Sequence, residues 1–101
     1  MQVIFTIDEF RTLVHVLREH EHEAEPGRDQ AISRILRKVL ERDFGFAADE
    51  LQVLEDLLAK ASKRLKGAPI PPTEPERETF LRQRRLTEQI LDKVVEACAM
   101  F

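Results

Sequence analysis

Tryptophan and tyrosine are absent from this 101-residue chain, and it holds one cysteine and three glycines. A single Cys98 cannot close an intrachain disulfide, which points to a reducing, cytosolic setting. The three glycines fall at readings of turn or helix stop, so no glycine-rich loop can cradle a phosphate. No apolar run approaches a membrane span, and the first residues lack the basic region and long apolar stretch of a signal peptide. The expectation is a soluble, cytoplasmic chain. Positive charge is not in excess either: 16 Lys and Arg stand against 19 Asp and Glu, a net charge of −3, which argues against a generic polyanion binder.

Catalytic signatures are equally scarce. Cys98 shares an apolar stripe with Ile90 and Val94, where a thiol packs rather than attacks, and no histidine is near it in sequence. Ser33 and Ser62 both fall on expected helices, away from any nucleophile elbow. The chain therefore reads as no enzyme, with no catalytic residue and no cofactor.

What is present is a helical chain of one domain, 43% hydrophobic and 35% charged. Thr6 and Glu9 spell a capping box, and Phe5 and Phe10 spell the hydrophobic staple of the same start. Phe10, Leu13, Val14 and Leu17 then recur at helical spacing, predicting helix 1 over about 7–24. After the turn at 25–29, Asp29 is the expected N-cap of helix 2, over about 30–43, with Ile32, Ile35, Leu36, Val39 and Leu40 as its stripe. Gly45 is expected to end it in the left-handed conformation. Helix 3 follows from about Ala47 to Lys66, burying Leu51, Leu54, Leu58, Ala61 and Leu65. The prolines of 68–72 cannot be helical and make a stiff connector. Thr73 and Glu76 form a second capping box, predicting helix 4 over about 74–99, roughly 39 Å long.

The fold class expected is all-α, a mainly antiparallel four-helix bundle with a long fourth helix. It divides into two hairpins, 1–45 and 46–101, the second holding the connector at 67–75. Its expected core is Phe10, Leu13, Leu17, Ile35, Leu36, Val39, Leu51, Leu54, Leu58, Ile90, Leu91 and Val94. The lead-in 2–5 is rich in β-branched and aromatic residues but has no evident strand to pair with, so it is read as packing on the bundle. A faint repeat runs through the chain: 5–10 matches 46–51 at an offset of 41, and 35–41 matches 90–96 at an offset of 55. Duplication would give a pseudo-twofold bundle, but amphipathic helices share a small alphabet and coincidence is the favoured account.

Three polar groupings invite a function. His15, Glu19 and His22 have metal-ligand types at helical spacing and are the weak metal candidates, with the Glu-x-x-His step used by carboxylate bundles. Their face lies nearly opposite the core stripe, at about 100° per residue, so a solvated surface is the expectation. Four glutamates also crowd the negative end of helix 1, an arrangement the helix dipole disfavours. Arg28, Arg34 or Arg37 folding back from helix 2 is the expected compensation. Arg77, Arg82, Arg84 and Arg85 make the densest basic patch, but only Phe80 is available for stacking, and Glu74, Glu76, Glu78 and Glu88 neutralise it.

The reading reached by elimination is a small non-enzymatic helical protein-protein interaction or regulatory protein. Its alternatives are a nucleic-acid-associated regulator using those arginines and a metal-binding helical bundle. Phe80, Leu81 and Leu86 point in divergent directions that one groove cannot bury together. With Arg82, Arg84 and Arg85 they are the expected interface of a homodimer, or of a contact with another protein, the arginines meeting acids of a partner. No membrane partner is expected.

Overall fold

Two reciprocal hydrogen bonds fix the start of the first helix. The Glu9 N–H donates to Thr6 Oγ1 at 3.1 Å, and the Thr6 N–H donates to Glu9 Oε1 at 2.8 Å. The capping box is thus formed, and it opens α1 (Ile7–Glu21). The expected staple closes through a third ring: Phe5 and Phe10 both meet Phe44 edge-on, with centroids 5.4 and 6.2 Å away. A computed structural model describes residues 3–21 and 28–100 and adds α2 (Arg28–Leu40), α3 (Ala48–Gly67) and α4 (Glu74–Ala99). The described residues form an all-α, mainly antiparallel four-helix bundle, in which α3 packs most extensively on α4 and α1 on α2 and α4. Residues 22–24, expected to finish helix 1, lie outside the described residues.

Ten of the twelve expected core residues are buried, while Phe10 and Leu91 are half-buried against the same cluster. Val3, Val16, Ile32, Phe46, Leu57, Ala61 and Ala97 complete the core. The lead-in has a partner after all, for the Val3 N–H donates to the Phe44 carbonyl at 3.3 Å. That contact joins the stretch before α1 to the stretch before α3, which are related by the offset of 41.

The same offset governs the polar interior. Glu9 and Glu50 are both nearly inaccessible, at 1% and 3% exposed. Lys93 Nζ donates to Glu9 Oε1 at 2.6 Å and to the Ile4 carbonyl at 2.9 Å. Lys38 Nζ donates to Glu50 Oε1 at 2.7 Å and to the Gly45 carbonyl at 3.2 Å. Ile4 and Gly45 each precede their glutamate by five residues, and Lys38 and Lys93 are matched at the offset of 55. Glu50 also accepts from the Ala47 N–H at 2.8 Å, as Glu9 does from Thr6, although Ala47 has no hydroxyl to return the bond. Positions matched by the faint repeat therefore make matched bonds. One Glu–Lys clamp ties α1 to α4 and its counterpart ties α3 to α2.

The clamps differ in one cation. Arg34 Nε lies 3.5 Å from Glu50 Oε2, at ion-pair distance but without hydrogen-bond alignment, and the position matched to Arg34 at the offset of 55 is the neutral Gln89. Burial alone would push both carboxyls up. For Glu9 the bond and charge of Lys93 and the bonds of Thr6 outweigh it. For Glu50 the Ala47 N–H, Lys38 and Arg34 do so. Both are held below their ordinary value of 4.5.

Two expected boundaries move and one expected cap bond is not made. α2 includes Arg28, so Asp29 sits inside its first turn rather than capping it. α2 ends before Gly45: the Arg42 N–H bonds the Val39 carbonyl and the Asp43 N–H bonds the Lys38 carbonyl, with Arg42 left-handed at φ 59°. That is a Schellman stop formed by a non-glycine residue. The Arg42 guanidinium lies 5.0 Å from the Phe10 ring centroid, an attraction that offsets part of the strain. Gly45 instead continues the extended link beside the lead-in, where the glycine stop is not needed. At α4, Thr73 holds the N-cap position but its hydroxyl caps nothing, and Pro75 occupies the first turn.

Glu9→Gln and Glu50→Gln should each destabilise the fold by about 1–3 kcal/mol, the range for weakening a buried bond to a charged partner. The pH dependence follows in sign. Both carboxyls have folded pKa values below their unfolded ones, so their contribution is complete above the unfolded value and is lost as pH falls through the folded values. Urea unfolding of the wild type should show stability declining from about pH 4.5 downward, and the double Gln variant should show a shallower decline.

Candidate functional site

Distances between α3 and α4 set the register that exposes the candidate site. Lys66 Nζ pairs with Glu88 at 3.2 Å. Burial, and then the neighbouring Glu55 carboxylate of α3, push the Cys98 thiol pKa up. Both pairs place the end of α3 level with Thr87. The first half of α4, 13 residues or roughly 20 Å at 1.5 Å per residue, therefore runs past the end of α3. All buried residues of α4 confirm this from the other side, being Thr87, Ile90, Val94 and Ala97. Residues 74–79 are exposed throughout, Phe80 is half-buried and Leu81 is 42% exposed.

The proline connector braces this overhang without covering it. Arg77 Nη2 donates to the Pro72 carbonyl at 3.2 Å, and Arg77 Nε reaches the Pro71 carbonyl at 3.5 Å. Ile70 remains 54% exposed, so it does not seal Phe80 and Leu81 into a satellite cluster. Pro75, Glu76, Thr79, Phe80 and Gln83 line an open groove of about 350 Å³. The sequence-expected interface residues are thus brought together on one half-helix, with Leu86 half-buried at its inner end.

The arginines divide. Arg82 Nη2 donates to Asp8 Oδ2 at 2.9 Å, an exposed contact that ties the overhang to the start of α1. Arg84 Nε stands 4.0 Å from Glu88. Arg85 is exposed and without a partner among the described residues. Gln83 and Thr87, where apolar groups would be expected, are reconciled by a bond within the helix: the fully buried Thr87 hydroxyl donates to the Gln83 carbonyl at 2.8 Å.

A second cleft, about 280 Å³, lies where α1, α3 and α4 meet and is lined by His15, Glu19, His20, Arg64, Gln83 and Thr87 among others. Glu19 stands 3.8 Å from His15 Nε2 and 3.5 Å from Arg64 Nη1. Among the described residues, charge compensation for Glu19 therefore comes from α3, Ser33 of α2 donates to Glu21 at 3.1 Å, and Glu23 and Glu25 lie outside the described residues. Arg34 turns to Asp49 and Glu50, and Arg37 to Glu41, because α2 spends its cations on its own end and on α3. Arg28 as a compensating group lies outside the described side chains. His15 and Glu19 are exposed, as their angular position requires, and His22 lies outside the described residues. Among the described residues no group of three or more ligand-type side chains could hold a metal ion.

His20 is the residue the sequence reading passed over. It is 6% exposed; its Nδ1 lies 2.9 Å from the Val16 carbonyl and so carries the donated proton, while buried Nε2 has no partner among the described residues. The signal was its place three residues after Leu17 and seven after Leu13, on the core stripe rather than on the face of its acidic neighbours.

Compared with protein-family models, with curated proteins and with solved structures, the chain matches none.

Replacing His20 by leucine removes an unpartnered buried nitrogen and keeps apolar volume, and the Val16 carbonyl retains its place in the helix ladder. The variant should gain up to about 1 kcal/mol in chemical denaturation; a loss of that size would show that His20 Nε2 is satisfied in solution.

Proposed function

We propose that this chain is a small, non-enzymatic helical interaction protein of the cytoplasm, and that its binding element is the first half of α4. One observation carries the reading: about 20 Å of a well-formed helix projects past its hairpin partner, with Phe80, Leu81 and a groove left uncovered. A helix that the bundle does not use for its own core, yet that carries large apolar side chains, is suited to cover by another chain. No helix among the described residues is long and apolar enough to cross a membrane.

The nucleic-acid alternative has less support from the same half-helix. Arg77 serves the connector, Arg82 holds Asp8 and Arg84 faces Glu88, which leaves Arg85 as the remaining cation of the patch. Affinity for a polyanion scales with the number of cations that can neutralise phosphates.

Cross-linked capture from a cell lysate tests the element directly. Wild-type bait should retain protein partners, further copies of this chain included, that Leu81→Asp and Thr79→Arg baits lose while keeping wild-type helicity by circular dichroism. Identical captured sets from all three baits would show that this face is not the binding element.

A further inference from the structure

We infer that the partner of the overhang is a second copy of this chain, packed antiparallel to it about a twofold axis at Phe80. The inference rests on the reading of 74–86 as the binding element and names what occupies it.

Continuity of the seam comes first. Thr87, Ile90, Val94 and Ala97 are the buried line of α4, spaced by three and four residues. Extended backward at the same spacing, that line passes through Gln83, Phe80 and Glu76, which are the residues lining the open groove. The seam thus continues past Gln83, which still borders the cleft with α1 and α3, to Phe80 and Glu76, where no helix among the described residues packs on it. A helix laid antiparallel along it would extend the packing already used within the chain.

Charge selects which helix. Before Phe80 the overhang carries Glu74, Glu76 and Glu78 against Arg77; after it come Arg82, Arg84 and Arg85 against Glu88. The segment is acidic on one side of Phe80 and basic on the other. A parallel copy would set like charges side by side. An antiparallel copy centred on Phe80 sets Glu76 opposite Arg84 of the second copy, twice over by symmetry, both lying within about 40° of Phe80 on the helix face. Such self-complementarity is what a closed twofold contact requires, since the same patch must serve both sides. Two or three turns of helix per copy make a small interface, so the dimer is expected to dissociate in the range of about 1–100 μM and to weaken with salt.

Sedimentation equilibrium on the full chain tests this with charge-swapped pairs. Glu76→Lys and Arg84→Glu should each weaken self-association by about tenfold or more, helicity being unchanged. Mixed in equal amounts, the two variants should associate with each other within about threefold of the wild-type constant, because both interfaces regain opposite charges. Wild type that stays monomeric to several hundred micromolar, or variants whose mixture stays monomeric, would overturn the inference. A monomeric wild type whose overhang still captures a different protein would overturn it while leaving the interaction reading in place; capture unaffected by Leu81→Asp and Thr79→Arg would overturn that reading as well.

Discussion

A carboxylate with a few per cent of its surface in contact with water has to find donors inside the protein or change its charge. Glu9 and Glu50 meet that demand in the same way: a backbone N–H three residues earlier, a lysine from a helix distant in sequence, and a backbone carbonyl that shares the lysine. Each glutamate is at once a helix cap and a cross-link. Because the cap fixes where its helix starts and the lysine fixes which helix lies beside it, the two clamps set both local register and the pairing of α1 with α4 and α3 with α2. The apolar core then fills a frame whose rotational freedom is already restricted, with Leu13, Leu17, Ile35, Leu51, Leu54 and Ile90 wholly buried between the clamps.

The first half of α4 runs past the end of α3, and the buried line of α4 is confined to its second half. Side chains of the first half that the bundle core does not take up are suited to a contact with another chain, and the charge inversion across Phe80 gives that contact a direction.

Helix boundaries, class and most of the core were legible because they depend on spacing within one segment: the Thr6/Glu9 box, the stripe from Phe10 to Leu17, the prolines before Thr73. Features that depend on which helix packs on which were not. Nothing local says that Arg64 rather than Arg34 reaches Glu19, or that Phe44 bridges Phe5 and Phe10. Buried status of Glu9 and Glu50 was hidden behind their visible role as caps, and the repeat that linked them to Lys38 and Lys93 looked no stronger than chance until the matched positions were seen to make matched bonds. Arg42 escaped notice because a left-handed arginine is disfavoured locally and is tolerated through a ring, Phe10, more than thirty residues away. The overhang was foreseen from helix length and from the divergence of Phe80, Leu81 and Leu86. His20 went unremarked among its acidic neighbours, although its spacing places it with Leu13 and Leu17.

The clamps are the centre of this account, and site-resolved NMR titration of glutamate side-chain carboxyls tests them most directly. Glu9 and Glu50 should both titrate below the ordinary value of 4.5, and Lys93→Met should raise Glu9 while leaving Glu50 in place. Either carboxyl titrating at or above the ordinary value in the wild type, or both responding to the loss of Lys93, would contradict two separate and equivalent clamps.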